Sequence, residues 1–340
     1  RKLLMGTTLG ILAGVYGVLN FLVVSAQIEL WHVCVGAALA GIMWATDFPV
    51  RRAMIGDAVG EDGISTAIGI DSASNNFSRV IGPLGAGAFL ASFGVEAAYL
   101  TGAVLFGVGS ILAFTLPHVE SAERSGSGGG GYFSNLAEGL RHVRSNQVIV
   151  VTLIITIVMN MFGFPYQHMV PVIGAETLNV GPLLIGVLLA VEGVGATTGS
   201  LVIALGARPG GYTKIYSIGS VLFLTAILLF SLSPSFWMAI PILLIGGFAM
   251  SGFTTMQSVI VITSTPSEIR GRVLGVLAAS VGTGPFGALL VGALATWWGA
   301  NHAVTAIAVV GLTLTVISLL IWPSYLKSSV RQSGSGPAVN

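Results

Sequence analysis

Long apolar runs recur along this sequence, most of them of the roughly 20 residues that an α-helix needs to cross the hydrocarbon of a bilayer. Ten can be marked, at 3–25, 30–51, 64–93, 97–117, 147–170, 182–205, 212–232, 235–263, 272–297 and 302–323. They are continuously apolar and do not alternate in polarity, which excludes barrel strands and predicts an all-helical membrane bundle. Charged residues make up only 8% of the 340 and hydrophobic ones 54%; a soluble domain carries about 25% charge. The 47 glycines follow no collagen-like period, so they point to helices that pack closely in lipid. A lone cysteine, Cys34, lies in an apolar run and supplies neither a disulfide framework nor a metal set.

The basic residues orient the bundle, because in short loops they gather on the cytoplasmic side. Alternate gaps between the runs hold Arg1, Lys2, Arg51, Arg52, Arg124, Arg141, Arg144, Arg208, Lys214, Arg270, Arg272, Lys327 and Arg331. With Arg79 these account for all 14 Lys and Arg residues, while the opposite gaps contain only Glu29, Glu96 and Glu176. A miscounted span would scatter this separation, which therefore predicts a cytoplasmic C-terminus.

One long polar interval, 118–146, divides the chain. Its centre, Ser125 to Gly131, is a Gly/Ser linker. Phe133, Leu136, Leu140 and Val143 then recur at helical spacing beside Arg141 and Arg144. They read either as an amphipathic helix on the inner membrane surface or as a solvated connector with a helical turn. The segments on either side are an N-terminal half, 1–117, and a C-terminal half, 147–323, followed by a tail, 324–340.

Polar residues inside apolar runs are the candidate working parts. Asp71, Asn75 and Arg79 are spaced i, i+4, i+8 and share one helix stripe. A charge at mid-membrane costs about 2.5 to 3.5 kcal/mol on insertion scales, so the stripe should face a wet cavity or another polar group. Asp71 and Arg79 then belong to a substrate or proton route, or Arg79 merely neutralises a carboxylate. Glu192, in LLAVEGVGATTGS, is mid-helix among small residues and suits a titratable proton carrier. Asp47 lies near the inner end of its run and reads as a partner of Arg51 or Arg52, or as a transport residue. Asn160, Phe164, Tyr166, Met256 and Gln257, with neighbouring methionines and aromatics, form a candidate substrate pocket, although such residues also serve as plain packing. Arg270 and Arg272, in EIRGRVLG, suit an inner-gate latch or simple retention of charge.

A glycine-proline run, IGPLGAG with Gly82, Pro83 and Gly85, is echoed by GTGPFGALLVGA with Gly284 and Pro285, about 200 residues later. Proline disturbs a helix and glycine admits a close neighbour, so both segments can bend or pack tightly. The echo suggests duplicated halves. Pro285 falls in the fifth run after the linker and Pro83 in the third run of the chain, so matched halves imply two further helices ahead of residue 1, ten of an expected twelve being present.

These features resemble the major facilitator superfamily, with two pseudo-symmetric six-helix halves around a central cavity. RKLL at the start is similar to the end of that superfamily's basic loop between helices two and three, and GPLGAG to its exporters' fifth-helix motif. The stretch FPVRRAMIGDAVGEDGISTAIGIDSASNNFSRVIGPLGAG resembles the branch containing macrolide efflux proteins and the enterobactin exporter. TPSEIRGRVLGV, Thr265 to Val276, resembles that branch's loop between helices ten and eleven. Two departures stand out: His32 occupies the place of a helix-four arginine common in antiporters, and GARPGGYTK lacks an Asp-Arg pair. Spacing differs too, with Gly69 and Gly82 thirteen residues apart against nine for Gly275 and Gly284, about one helical turn.

The resemblance implies a monomeric transporter in a bacterial cytoplasmic membrane, exporting an amphipathic small molecule, drug-like or siderophore-like, by alternating access. It assigns gating or leak prevention to Gly82, Pro83, Gly85, Gly284 and Pro285. No Gly-x-x-x-x-Gly-Lys-[Ser/Thr] loop is present, so a proton gradient rather than nucleotide hydrolysis or a bound cofactor is the expected energy source. Five scattered histidines and one cysteine make no enzyme cluster. Cargo, protons and lipid are the expected partners, without nucleic acid; an importer or a non-transporting scaffold are the alternatives.

Overall fold

The computed structural model describes residues 2–115, 141, 143–144, 146–206, 209–265 and 269–327, excepting the side chains of 2, 44–73, 75–76, 79, 209, 270–271 and 327. Among these residues there is no strand. Among the described residues eight helices are long and apolar enough to cross a membrane, and Leu30–Met43 is a shorter apolar stretch. The chain divides into two compact units, Arg1–Gly126 and Ser127–Asn340.

The first unit holds α1 (Lys2–Val24) and α2 (Leu30–Thr115). At 86 residues, α2 would measure about 130 Å as a straight rod. It is not straight, since Gly36 lies against Val15 and Leu19 of α1 while Gly102 lies against Tyr16. Those two glycines would be roughly 100 Å apart on a rod, so α2 folds back and flanks α1 with both ends. Gly94 is one place where the helix departs from regularity, at φ +78°, a left-handed value that glycine adopts without a Cβ penalty. The expected spans 64–93 and 97–117 meet there, and Val80–Thr115 forms one apolar helical stretch. The eight candidate spans among the described residues do not confirm the count of ten. Asn20 Nδ2 donates to Glu96 O at 2.6 Å and Ser110 Oγ to Gly6 O at 2.7 Å, tying α1 to the C-terminal arm of α2.

The second unit contains α3 (Gln147–Val158), a π turn (Met159–Gly163), a 3-10 turn (Phe164–His168), α4 (Val170–Glu176) and α5 (Pro182–Gly206). After these come α6 (Tyr212–Ser231), α7 (Phe236–Thr263), α8 (Arg270–Val281), α9 (Gly284–Trp298), α10 (Ala300–Ile321) and α11 (Pro323–Lys327). Asn146 caps α3, its Oδ1 accepting from the amides of Val148 and Ile149. Small residues set the spacing of α5, α6 and α7. A Cβ on Gly247 of α7 would strike the Glu192 carbonyl of α5, and one on Gly219 of α6 would lie 2.7 Å from Ala249 O. Backbones touch directly there, the arrangement expected where lipid gives helices little hydrophobic reason to associate.

The main core gathers Tyr166, Tyr216, Phe223, Phe230, Phe253 and Met256. A second, smaller core contains Val143 with Ile149, Leu153 and Val273. Val143 thus turns to protein rather than to the membrane surface, while Arg141 and Arg144 on its helical turn are exposed. The rest of the expected amphipathic segment, the linker centre and the tail beyond 327 lie outside the described residues.

Candidate functional site

The run expected as one helix over 147–170 is broken in its middle. Pro165 has no amide to give the carbonyl of Met161, four residues earlier, and Gly163 weakens the same turn. The ladder shifts register instead, with Phe164 N–H reaching back to Met159 O. Such π turns occur frequently at functional sites. Gly287 of α9 fills the gap so closely that a Cβ would strike Met161 O and lie 2.7 Å from Pro165 Cγ. A second break lies between α8 and α9 at Gly282 and Thr283, where Pro285 stands in the first turn of α9. The expected single span 272–297 therefore enters the site as two helical pieces.

Along α3, Thr152, Thr156 and Asn160 repeat at i, i+4, i+8 and form a buried polar ladder. Thr152 Oγ1 lies 2.9 Å from Tyr325 OH and Thr156 Oγ1 3.0 Å from Tyr216 OH. Tyr216 OH also donates to Thr152 O at 2.9 Å. Two amides converge on Thr156: Asn160 Nδ2 donates to its carbonyl at 2.9 Å, and Gln257 Nε2 to its hydroxyl at 3.0 Å. Burial pushes the Tyr325 phenol well above the ordinary tyrosine value of 10.0, against a smaller downward pull from its Thr152 bond. The phenol therefore stays protonated and serves as a neutral tie between α11 and α3.

Beside the ladder, Phe164 is half-buried, its ring 5.7 Å from that of Phe253 and 5.6 Å from that of Phe223. Tyr216 stacks on Phe253 at 5.3 Å. At the broken segment's other end, Gln167 Nε2 donates to Glu192 Oε1 at 2.8 Å. Glu192 is 3% exposed in the middle of α5, so a buried acid is tied to the 3-10 turn that follows the helix break.

A profile described as transmembrane secretion effector matches residues 1–332. The chain belongs to that family, within the major facilitator superfamily. It is 24% identical to the staphyloferrin A transporter of Staphylococcus aureus (strain NCTC 8325 / PS 47), covering 88% of this chain and 74% of that protein. Against the multidrug efflux pump Tap of Mycolicibacterium fortuitum it is 24% identical over 86% of this chain and 73% of the pump. Among solved structures, the nucleoside transporter NupG gives a TM-score of 0.71 at 14% identity, covering 95% of this chain and 84% of that one. A bacterial homologue of the lysosomal transporter Spinster gives 0.65, also at 14% identity, over 98% and 83%. The protein is an integral, multi-pass major facilitator transporter.

On this facilitator scaffold the sequence-selected residues separate. Asn160 and Gln257 meet at Thr156. Phe164 flanks them, whereas Tyr166 and Met256 are sealed in the packed core, at 1% and 2% exposure. Gly284 borders Asn160, and a Cβ there would lie 3.9 Å from Oδ1. The two glycine-proline motifs differ in local structure, since Gly82, Pro83 and Gly85 sit in unbroken helical backbone and neither glycine has anything within 4 Å of a Cβ position. Arg272 is half-buried at the start of α8. The side chains of Asp71, Asn75, Arg79, Asp47 and Arg270 lie outside the described residues. His32 starts α2, where Nδ1 accepts the Glu29 amide at 3.0 Å and its ring lies 3.8 Å from that of Trp31, a capping position. Thr152, Thr156, Tyr216, Tyr325 and Gln167 escaped the sequence reading. The 152, 156, 160 spacing repeats the 71, 75, 79 pattern and was a usable signal; Gln167 offered none.

Proposed function

We propose that this transporter is a proton-coupled exporter that extrudes an amphipathic small molecule, drug-like or siderophore-like, by alternating access. The observation that carries the reading is the buried Glu192 bonded to Gln167 next to a broken helix. An ionised carboxylate holds an amide N–H more strongly than a neutral acid does. Protonation of Glu192 would loosen the tie between α5 and the 3-10 turn and leave the broken segment freer to move. The Gly-Pro break before α9, packed on that same segment through Gly287, gives the motion a second hinge. Asp71 and Arg79 are proposed as the polar stripe of the other unit, with Arg270 and Arg272 at the inner gate. The working location is a bacterial cytoplasmic membrane, with a monomeric protein and a cytoplasmic C-terminus. Export from vesicles carrying an imposed pH difference tests this. Glu192→Gln is expected to retain substrate binding and lose the pH-driven part of the flux; flux equal to the parent's would remove Glu192 from coupling, and flux indifferent to pH would remove proton antiport.

A further inference from the structure

Between α1 and the start of α2 runs a groove of about 430 Å³, lined by α1 from Gly14 to Leu22 and by α2 from Trp31 to Leu39. Its volume falls within the range of small-molecule sites. The two helices close together at Gly36, where a Cβ would lie 2.9 Å from Leu19 Cδ1 and 3.3 Å from Val15 Cγ1. Gly14 keeps the groove open, with nothing within 4 Å of a Cβ position. Along α1 the groove extends about 12 Å, close to the roughly 15 Å of hydrocarbon in one leaflet.

The lining is glycine, valine and leucine except at one end, where Trp31 and His32 stand beside the turn that follows α1. There the Trp31 indole N–H donates to Glu29 Oε2 at 2.8 Å, and His32 Nδ1 accepts the Glu29 amide at 3.0 Å. A neutral imidazole that accepts at Nδ1 carries its proton on Nε2. That N–H has no partner among the described residues. Nor is it sealed, because Thr315 Oγ1 is the one enclosed side-chain oxygen or nitrogen left unpaired among them. A single donor at an end marked by Trp, with apolar depth below it, matches a phospholipid, whose interfacial oxygens accept and whose tails lie deeper. Lipid tails are as apolar as the groove, so burial alone selects no occupant. Contact with two walls at once and the His32 bond do. We propose that the groove holds one acyl chain of a phospholipid, with His32 Nε2–H donating to an ester or phosphate oxygen of the same molecule. The lipid belongs to the leaflet at the C-terminal end of α1, the outer one in the orientation proposed above.

Lipid counting on the full chain in detergent tests the site apart from export. The delipidated chain is titrated with dioleoylphosphatidylcholine or its diether analogue, and bound lipid is counted by native mass spectrometry. The parent is expected to hold one diester lipid about tenfold more tightly than any further one. Gly14→Leu, whose side chain enters the open groove, should remove that preference. Gly17→Leu, on the same helix but outside the groove and equally free of neighbours, should keep it. His32→Asn retains an acceptor for the Glu29 amide and loses the Nε2 donor, so the first lipid should bind about fivefold more weakly. With its cap kept, this variant reports even where Gly14→Leu fails to fold. Weakening confined to the diester lipid assigns the ester carbonyl, and equal weakening of both lipids the phosphate. A phosphatidylcholine with a diazirine midway along one chain, added at one per protein, should form its adducts within 14–22 and 31–39. Absence of a tight first lipid, or parent-like binding by both Gly14→Leu and His32→Asn, would overturn the site. So would adducts lying elsewhere, which would mean that another segment of the chain or mobile bulk lipid fills the groove.

Discussion

At the scale of single residues, the ladder on α3 works because each hydroxyl has one proton and two lone pairs to place. Thr156 accepts an amide, faces a phenol and donates to a carbonyl one turn back. Thr156→Val keeps the shape and strands those partners, so it should cost about 1–3 kcal/mol, read from the thermal unfolding midpoint in detergent. The same change at Thr198, exposed and bonded only to its own helix, should cost less than about 0.5 kcal/mol. Tyr325→Phe tests the tie between α11 and α3. Its phenol is held above 10.0 in the folded state, so the unfolded chain loses that proton first as pH rises. Stability should be flat in this group below pH 10 and fall above it, and Tyr325→Phe should make the alkaline fall shallower. An unchanged alkaline limb would contradict the buried placement.

At the scale of elements, glycine acts in two ways that identical letters conceal. Gly247 admits the Glu192 carbonyl into the face of α7, and a Cβ there would also lie 3.0 Å from Ala196 N. Backbone cannot yield as a side chain does, so Gly247→Ala should destabilise by about 1–3 kcal/mol. Gly275 in α8 has nothing within 4 Å, and Gly275→Ala should be neutral or stabilising by up to about 1 kcal/mol. Thermal melts of the pair, taken together, separate close packing from helix propensity. Helix content was legible in the apolar runs, as was a capacity to bend at Gly284 and Pro285, whereas the break at 159–168 was not, although Pro165 and Gly163 stood in plain view. Proline announces a missing bond, but whether the chain bends, ends or changes register depends on the neighbour that fills the gap, here Gly287.

At the scale of the whole molecule, the separation of basic residues makes a topological prediction. In a Cys34→Ser background, Glu176→Cys should react with a membrane-impermeant maleimide in right-side-out vesicles and Gly210→Cys only in inverted ones. Both sites are exposed in the structure, so labelling of both from one side would break the alternation. Membrane embedding, helical class and this expected sidedness came from the sequence alone, because hydropathy and loop charge are sums over neighbouring residues that need no knowledge of the fold. The polar stripe of α3 was half legible through its fourfold spacing. Its meaning was not, since Thr152 and Thr156 bond partners 173 and 60 residues away. Only the packing of α3 against α6, α7 and α11 decided which partners the ladder meets, because a hydrogen bond exists only where two helix faces bring its donor and acceptor within about 3 Å.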